Sequence, residues 1–556
     1  MTMPRARRRL SAGVLPRIVF AGALVGLATS SLAAANGTAA QAAPHAAITF
    51  KETWGVSFAD HPRPVALSSP VVVKLPKGPA AVVGDRSGHL YAIYLAPTVK
   101  GRAVSAFTLT MIDGIGIDSS PSTIGGAVYF GSGWAGTQGV GGYEAVNLNG
   151  SKRWFHFATN PSTDKAGPHA GVAAGLAVGY LQGEIAVVAG SHGQNTYMFN
   201  ASSGALAHGF PWYQGDTNFS TPAIADVEGI PGQNQIIEGG NTNAGVSYGT
   251  HYVTGGQIRI LSQEGNGGGR PNAGLYCDYQ INQGVSSSPA VGDIFPGSKP
   301  GIVFGTSTDR AGASDTDDVF AVNSHCDKMW QTKLDGATLS SPALADGLGN
   351  GDLQVIEGTL AGTVYSLSST TGGVHWRSQL PGQIIGGVVT ADLGTGHQDI
   401  IVPTTTGAYI LDGRTGRIAA TLERGVGLQN SPLVTRDPNG TLGITVAGYS
   451  GNAATQHGVM EHFELVGSKV STVSETGAWP EFHHDPQLTG DADVASARRA
   501  PNGVGQSSPS GAVGGGQGTG AAATSAVKPS TRAPAALPRQ QGQATDRPPR
   551  RLPARE

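Results

Sequence analysis

Residues 340–376 read SSPALADGLGNGDLQVIEGTLAGTVYSLSSTTGGVHW, and this stretch decides the fold. It contains four short runs of alternating or apolar β-forming residues, at 340–346, 353–359, 362–367 and 371–376. Turns rich in Gly, Asp and Asn separate the runs, as in hairpins. The stretch therefore predicts four strands in one antiparallel meander.

Related units recur along the chain at intervals of 44 to 67 residues. They begin at Ser69-Pro70, Ser120-Pro121, around Gly171, at Thr221-Pro222, Ser288-Pro289, Ser341-Pro342, around Gly386 and at Ser431-Pro432. A repeating four-stranded unit cannot bury both of its faces alone, so the units must stack on one another. We predict an all-β chain with a single β-propeller of eight four-stranded blades, with seven blades as the alternative.

Tryptophans support this register and indicate how the ring closes. Four of them end units: Trp154, Trp212, Trp330 and Trp376. Trp54 stands at the same distance before a unit start, but no inner strands precede it. We infer that Lys51 to Phe58 is the outer strand of the last blade, which would leave the ring without an exposed sheet edge. The alternative is that residues around Val470 to Trp479 supply this strand.

The units resemble the PQQ-like repeat of the quinoprotein alcohol dehydrogenase-like propeller superfamily, in their SSPAxAD start, GTxxGxVYxL middle and TGxxxW end. Ala-Asp or Gly-Asp pairs also resemble FG-GAP/VCBS-type propeller repeats; they are Ala225-Asp226, Gly292-Asp293, Ala345-Asp346 and Ala391-Asp392. Residues 479–490, WPEFHHDPQLTG, are similar to the WPxFxxDxxxTG segment of secreted propellers in this group. The resemblance covers roughly 49–490 and implies a fold rather than an activity.

Composition excludes several other classes of protein. Glycine accounts for 84 of 556 residues, and charged residues for only 13%, about half the usual share. Residues 1–42 hold five arginines and no acid, and residues 497–556 hold nine basic residues against two acids. Since the formal net charge is −2, residues 43–496 carry an excess of 14 acidic charges. An acidic body argues against nucleic acid as a partner.

The two ends of the chain predict an exported protein. Residues 1–42 read as a signal peptide, with a basic region of four arginines at 5, 7, 8 and 9, the apolar run IVFAGALVGLA at 18–28 and a small-x-small cleavage site at 40–42. The β-propeller domain then covers 43–496. Residues 497–556 are rich in Gly, Pro, Ser and Arg and lack aromatic residues, which predicts a disordered tail. We expect a secreted or cell-wall-associated protein with no membrane span in the mature chain.

The resemblance implies one enzymatic alternative, a quinoprotein dehydrogenase that holds PQQ and Ca²⁺ over the funnel. Many such enzymes stack the quinone on a disulfide between adjacent cysteines, and this chain has no Cys-Cys pair. No Glu/Asn/Asp set matches the Ca²⁺ site of that family. PQQ is therefore disfavoured, and we predict no catalytic or cofactor-binding residue.

The chain has two cysteines, Cys277 and Cys326, which close blades four and five at similar repeat positions. Export exposes a protein to oxidising conditions, so a disulfide between the blades is plausible. Two free buried thiols are the alternative.

One loop has the pattern of a calcium site. Asp346, Asn350 and Asp352 place oxygen ligands around a glycine turn, but Leu348 stands where a further acid or amide is expected. A simple Asx turn is the alternative. Asp309, Asp315, Asp317 and Asp318 form a second acidic group, which we interpret as a solvated loop.

Two further groups are weaker candidates for binding. The Ser-Ser-Pro hydroxyls could ring the channel and bind a polar ligand such as a sugar, or they could satisfy backbone groups where the inner strands begin. His483 and His484 could bind a metal, but no third ligand at a recognisable spacing accompanies them, so we interpret them as surface or turn histidines.

The sequence thus favours an exported, non-catalytic propeller that acts as an extracellular binding scaffold for protein or cell-wall glycan, and that is monomeric. The longest insertions, Asn241 to Gly255 and Gly265 to Gly274, are where we would look for the binding surface. The alternative function is a PQQ/Ca²⁺-dependent oxidoreductase or a carbohydrate-active propeller enzyme. Apart from a possible Ca²⁺, no cofactor is expected.

Overall fold

A computed structural model describes residues 48–493, except 62, 97–101, 112–114, 134–140, 160–168, 231, 248–249, 269–273, 453–454 and 468–476. The predicted signal peptide and tail lie outside these residues. The described residues form an all-β propeller with eight blades, as predicted. They contain no helix long and apolar enough to cross a membrane.

In blades 1 to 4 the strands run in chain order from the inner strand to the outer strand. Their strands are β2 (Val71–Leu75), β3 (Gly78–Gly84), β4 (His89–Tyr94) and β5 (Ser105–Thr110); β6 (Ser122–Ile124), β7 (Ala127–Ser132), β8 (Gly142–Asn147), β9 (Lys152–Thr159) and β10 (His169–Ala170); β11 (Ala177–Leu181), β12 (Glu184–Gly190), β13 (Asn195–Asn200) and β14 (Trp212–Tyr213); and β15 (Ala223–Ala225), β16 (Gln235–Thr242), β19 (Gly255–Ser262) and β20 (Leu275–Ile281). Blade 4 also carries the hairpin β17 (Gly245–Ser247) and β18 (Thr250–Tyr252) and a short 3₁₀ turn, η1 (Gly265–Gly268).

Blades 5 to 7 repeat the plan, and blade 8 completes it with the first strand of the chain. Their strands are β21 (Ala290–Gly292), β22 (Gly301–Gly305), β23 (Asp318–Val322) and β24 (Lys328–Lys333); β25 (Ala343–Ala345), β26 (Gln354–Gly358), β27 (Thr363–Ser368) and β28 (Val374–Gln379); β29 (Val389–Ala391), β30 (Asp399–Thr404), β31 (Gly407–Leu411) and β32 (Ile418–Arg424); and β33 (Leu433–Arg436), β34 (Leu442–Ser450), β35 (His457–Leu465) and β1 (Phe50–Ser57).

The N-terminal strand closes the ring. β1 pairs antiparallel with β35, from Phe50 opposite Leu465 to Ser57 opposite Val459. This confirms the predicted closure by Lys51 to Phe58 over the alternative near Val470. Joining the two ends of the chain in one blade covers the edge of β35, which would otherwise be free to pair with another chain.

The tryptophans hold neighbouring blades together by a repeated contact. The Nε1 atoms of Trp54, Trp154, Trp330 and Trp376 donate to backbone carbonyls in the next blade, at 2.7, 3.1, 2.7 and 2.8 Å. A turn glycine with positive φ lies against the ring in three cases, where a Cβ would approach within 2.7 Å or less: Gly204 on Trp154, Gly372 on Trp330 and Gly416 on Trp376. The turn glycine of the TG motif in one blade therefore packs against the motif tryptophan of the preceding blade.

A disulfide replaces this contact between blades 4 and 5. Cys277 occupies the tryptophan position of β20, opposite Ile260, and Cys326 occupies the turn position with a φ of 61°. The two cysteines are bonded, with their Cα atoms 5.8 Å apart. Cys277 therefore links to the turn of the next blade covalently where the other blades use an indole hydrogen bond.

The apolar core lies between the blades. Ile258 of blade 4, for example, packs in one buried cluster with Phe304 and Phe320 of blade 5, whose rings stack 5.5 Å apart. The stacking buries the faces that a single blade could not bury alone.

Antiparallel meanders give the propeller two distinct faces. We call the upper face the one on which every inner strand begins. It carries the links between blades and the connections between second and third strands. The lower face, where the inner strands end, carries the other two sets of connections within the blades.

Candidate functional site

Residues 477–492 run around the inside of the ring, along the inner strands, and most of them are buried. The segment follows the inner strands in a full circuit and accepts backbone hydrogen bonds from blades 2 to 8. The bonds run from Asp346 to Gly477, Thr390 to Trp479, Val434 to Pro480, Thr123 to Pro486, Val178 to Gln487, Ile224 to Thr489 and Val291 to Gly490, at 2.7 to 3.0 Å. We call residues 477–492 the channel segment.

The channel segment is folded tightly around its own polar side chains. Asp485 accepts hydrogen bonds from the backbone amides of Gln487 and Thr489 and from the Thr489 hydroxyl, at 2.9 to 3.1 Å. His483 and His484 both have positive φ, 56° and 79°. The segment similar to that of secreted propellers thus has a structural role here, which the sequence alone did not reveal.

His483 and His484 lie in a turn, but the prediction that they are surface residues does not hold. They are 2% and 5% exposed. The two ring nitrogens of His483 face the carbonyl oxygens of Leu488 and Pro289, at 2.8 and 2.9 Å. Burial lowers the pKa of His483 to about 4. Both nitrogens are thus directed at the protein backbone.

Hydroxyls of the Ser-Ser-Pro and related starts link neighbouring blades by hydrogen bonds. In five of the six blades that begin with Ser-Pro or Thr-Pro, the Ser or Thr hydroxyl accepts a hydrogen bond from the backbone amide at the same position of the preceding blade; the hydroxyl of Ser431, before Pro432, makes no hydrogen bond. Such bonds run from Ser69 to Ser120, Gly175 to Thr221, Thr221 to Ser288, Ser288 to Ser341 and Ser431 to Ser69, at 2.8 to 3.0 Å. These hydroxyls satisfy backbone groups where the inner strands begin, the simpler of the two readings.

In the loop predicted as a possible calcium site, backbone amides of the loop itself donate hydrogen bonds to the Asp346 carboxylate. The two oxygens of Asp346 accept the amides of Asn350 and Gly351, at 3.0 and 2.9 Å. The Asn350 side-chain amide donates to Asp352 at 3.1 Å. Asn350 Oδ1 accepts the Asp352 amide two residues on, at 3.2 Å, which is the geometry of an Asx turn. The calcium prediction for Asp346, Asn350 and Asp352 stays a prediction, because nothing observed tests it directly.

Blade 8 contains a nucleophile-like constellation that has a structural explanation. The Thr445 hydroxyl lies 2.8 Å from His462 Nδ1, and His462 Nε2 lies 2.9 Å from Asp437. The indole of Trp54 stacks on the imidazole. Thr445 and His462 are fully buried. A nucleophile must reach its substrate, so we interpret this set as a buried network that joins β34 and β35 to the closing strand β1.

One insertion of blade 4 and one of blade 5 form a single surface on the upper face, which we call the ridge. It consists of the described residues of 243–254, between β16 and β19, and of 306–317, between β22 and β23. The other predicted insertion, Gly265 to Gly274, lies between β19 and β20 instead, and its residues 269–273 lie outside the described part of the chain. Asn241 and Gly255, the predicted limits of the first insertion, belong to the strands, since Asn241 pairs with Gly256 and Thr242 with Gly255.

Hydrogen bonds through the link between blades 4 and 5 hold the two halves of the ridge together. The Asn282 amide donates to Asp315 at 2.7 Å, and Gln283 Nε2 donates to the Arg310 carbonyl at 2.9 Å. Arg310 Nη1 donates to the carbonyls of Thr254 and Asn282. The ridge is therefore one connected surface, with Asp309, Asp315 and Asp317 in its blade 5 half, and Asp318 begins the strand that follows.

A carboxylate pair at the boundary of blades 7 and 8 gives a pH-dependent stability. Burial and the adjacent carboxyl of Glu423 raise the pKa of Glu461 to about 8, with a further contribution from Glu52. The folded state thus retains a proton that the unfolded chain releases near pH 4 to 5, about the ordinary pKa of Glu. Stability is expected to fall as the pH rises from about 5 through 8.

Glu461→Gln removes this titration, so its melting temperature should depend less on pH over that range and exceed that of the wild type at pH 9. Thermal unfolding between pH 4 and 9 measures the difference. Glu184→Gln, the same charge change on blade 3, is the control and should follow the wild-type profile. An identical pH profile for wild type and Glu461→Gln would contradict the assignment.

Comparisons with known proteins show the fold and no family. No family model matches the chain, and no curated protein matches its sequence. Among solved structures, Saccharomyces cerevisiae Sqt1 is similar over 75% of this chain and 99% of its own, at 11% identity and a TM-score of 0.51. BamB from Moraxella catarrhalis is similar over 75% of this chain and 100% of its own, at 14% identity and a TM-score of 0.44. The V. cholerae biofilm matrix protein Bap1 is similar over 78% of this chain and 94% of its own, at 12% identity and a TM-score of 0.43.

At an identity this low, the structural likeness to Sqt1 bears on the fold alone and says nothing about activity. The resemblance to PQQ-like and FG-GAP/VCBS-type repeats thus remains a sequence-based prediction.

Proposed function

We propose that this protein is an exported, non-catalytic scaffold that binds an extracellular protein or a cell-wall glycan through the ridge on blades 4 and 5. The observation that carries the proposal is the joining of two insertions from neighbouring blades into one hydrogen-bonded surface. Loops on a rigid scaffold are the usual place for recognition. We also propose that its repeats are of the PQQ-like kind, and that the mature protein is a monomer.

The chemistry of the ridge suits a polar ligand. Asp309, Asp315 and Asp317 supply carboxylates that can accept hydrogen bonds from a ligand, whereas the amides of Asn282 and Gln283 already donate within the ridge and hold it in shape. Val253, which is 49% exposed, adds an apolar contact. A glycan or a polar loop of a protein presents complementary hydroxyls and amides.

Export rests on the N-terminal sequence and on the cysteines. Residues 1–42 have the pattern of a signal peptide, and the disulfide between Cys277 and Cys326 belongs to an oxidising compartment. We propose a secreted or cell-wall-associated location on these grounds.

Replacing residues 243–254 by Asn-Gly should abolish ligand capture and leave the melting temperature within a few degrees of the wild type. Thr242 and Gly255 face each other across the hairpin, so a two-residue Asn-Gly turn can close it. Binding of the full chain is measured on immobilised cell-wall polysaccharides and on surface proteins extracted from the source cells.

The matched control is the double variant Val374→Ser/Ile418→Ser, on the outer strands of blades 6 and 7. Both side chains are 50% exposed and lie outside the ridge. Capture should be unaffected in this variant. Undiminished capture by the trimmed protein, or equal loss in the control, would sink the proposal.

A further inference from the structure

Three side chains of blade 7 meet on the lower face at His397, Asp399 and Asp412. His397 and Asp399 lie in and just after the connection between β29 and β30, and Asp412 follows β31. His397 Nε2 is 3.5 Å from Asp399 Oδ1 and 3.5 Å from Asp412 Oδ2. The three ligand atoms all lie within 4.8 Å of one another.

Two of these atoms are buried and have no hydrogen bond. The side chains of His397 and Asp399 are completely buried. His397 Nε2 and Asp399 Oδ1 make no hydrogen bond, although both point into the cluster. A buried polar atom without a partner costs about 1–3 kcal/mol, so its retention needs an explanation. A bound cation between these atoms would supply one.

The opposite atom of each side chain is held by the protein. His397 Nδ1 lies 3.3 Å from the Thr395 carbonyl, which leaves the Nε2 lone pair directed inward. The Thr395 hydroxyl donates to Asp399 Oδ2 at 2.8 Å. The amide and hydroxyl of Thr415 donate to Asp412 Oδ1, at 2.9 and 2.7 Å. Outer hydrogen bonds that orient all three ligands are characteristic of built metal sites.

The two 3.5 Å separations between His397 Nε2 and the carboxylate oxygens fit a transition metal in tetrahedral coordination. Metal–ligand distances of about 2.0–2.2 Å place neighbouring tetrahedral ligands about 3.3–3.6 Å apart. Calcium takes oxygen ligands, whereas zinc accepts imidazole nitrogen together with carboxylates. Asp412, whose side chain is 13% exposed, is the ligand nearest solvent and marks the side from which a metal and a water would enter.

Other clusters in the described part of the chain have more of their ligand atoms engaged. In blade 8, His462 bonds through both ring nitrogens. In blade 1, Asp85 accepts two backbone amides and the Tyr91 hydroxyl, and Tyr91 also bonds His61 Nδ1, so that only His89 Nδ1 is without a hydrogen bond. Blade 7 differs in that both a histidine nitrogen and a carboxylate oxygen are unpartnered.

We propose that His397 Nε2, Asp399 Oδ1 and Asp412 Oδ2 bind one zinc ion, which ties together two connections on the lower face of blade 7. This site is independent of the ridge and of the proposed scaffold function.

Zinc binding to the metal-free full-length protein is measured by competition with a chromophoric chelator and by thermal unfolding with and without EDTA. The wild type should bind one equivalent that His397→Gln and Asp412→Asn lose, and only the wild type should melt higher with zinc than in EDTA. Thr415→Val removes one orienting hydroxyl at an exposed position and should weaken binding by about 10–100-fold.

Asp346→Asn is the control, because the carboxylate of Asp346 is already occupied by backbone amides of its own loop. It should bind zinc as the wild type does. Folded wild-type protein that binds no zinc would overturn the proposal. Equal zinc binding by the wild type, His397→Gln and Asp412→Asn would also overturn it, since the metal would then lie elsewhere on the chain.

Discussion

A chain that ends at residue 476 is expected to yield no stable propeller, whereas a chain that ends at residue 496 should unfold like the full-length protein. The shorter chain loses the channel segment, and with it the acceptors for inner-strand amides of blades 2 to 8. These amides would then face an emptied channel. Removal also exposes the apolar contacts of Trp479, which is 2% exposed and packs with blades 6 and 7.

Soluble yield and thermal unfolding of the two truncations test this prediction. Because a truncated chain can fail for reasons of expression, Trp479→Ala provides a graded version. It should lower the free energy of unfolding by about 3–5 kcal/mol, as expected for a large buried aromatic side chain. A folded 1–476 protein with wild-type stability would show that the channel segment is dispensable.

Arg259→Met should destabilise the protein by about 3–5 kcal/mol, because it leaves a buried glutamate without its counter-charge. Arg259 and Glu238 are both fully buried, with Nε 2.8 Å from Oε1. Arg259 also donates to the carbonyl of Gln214 at 3.1 Å and lies over the ring of Trp212, 5.2 Å from its centroid. The arginine therefore links blade 3 to blade 4 through charge, hydrogen bonds and stacking.

In blade 6, the glutamate at the position equivalent to Glu238 has a tyrosine rather than an arginine opposite it in the sheet. Glu357 there is paired with Tyr365 across the sheet, where Glu238 is paired with Arg259. Burial raises the pKa of Glu357 well above its ordinary value. Glu238 instead has an ion-pair partner opposite it, with Arg259 Nε 2.8 Å from Oε1.

Chemical denaturation of Arg259→Met and of the double variant Glu238→Gln/Arg259→Met measures the coupling. The double variant should recover a large part of the lost stability, because it leaves no unpaired charge in the core. A single variant within 1 kcal/mol of the wild type would mean that the pair contributes little.

The repeat in the sequence predicted the fold, and it favoured the blade count and the closing strand that the structure has over the alternatives of seven blades and of a strand near Val470. These predictions follow from local chemistry, namely strand periodicity, turn glycines and the tryptophans that end several of the units. The contact of Gly372 with Trp330 explains why these two motifs recur together, since each needs the other in the next blade.

The channel segment could not be predicted, because its role depends on contacts with seven blades that are distant in sequence. Its resemblance to a motif of secreted propellers marked it, but no spacing rule connects Trp479 to Thr390 or Gly490 to Val291. The cluster of His397, Asp399 and Asp412 was missed for a similar reason. Asp412 comes from a separate turn, and neither its position nor the lone pair of His397 is visible in the sequence.

The channel segment is held against the inner strands of seven blades, which directs the search for a binding site to the outer surface of the propeller. Hydrogen–deuterium exchange of the full-length protein, read on peptides that cover 477–492, tests this placement most directly. Amides of the segment that bond within it, such as those of Gln487 and Thr489, should exchange as slowly as those of the inner strands that contact it. Rapid exchange throughout 477–492 in a folded protein would contradict this placement and would return the open channel to consideration as a ligand site.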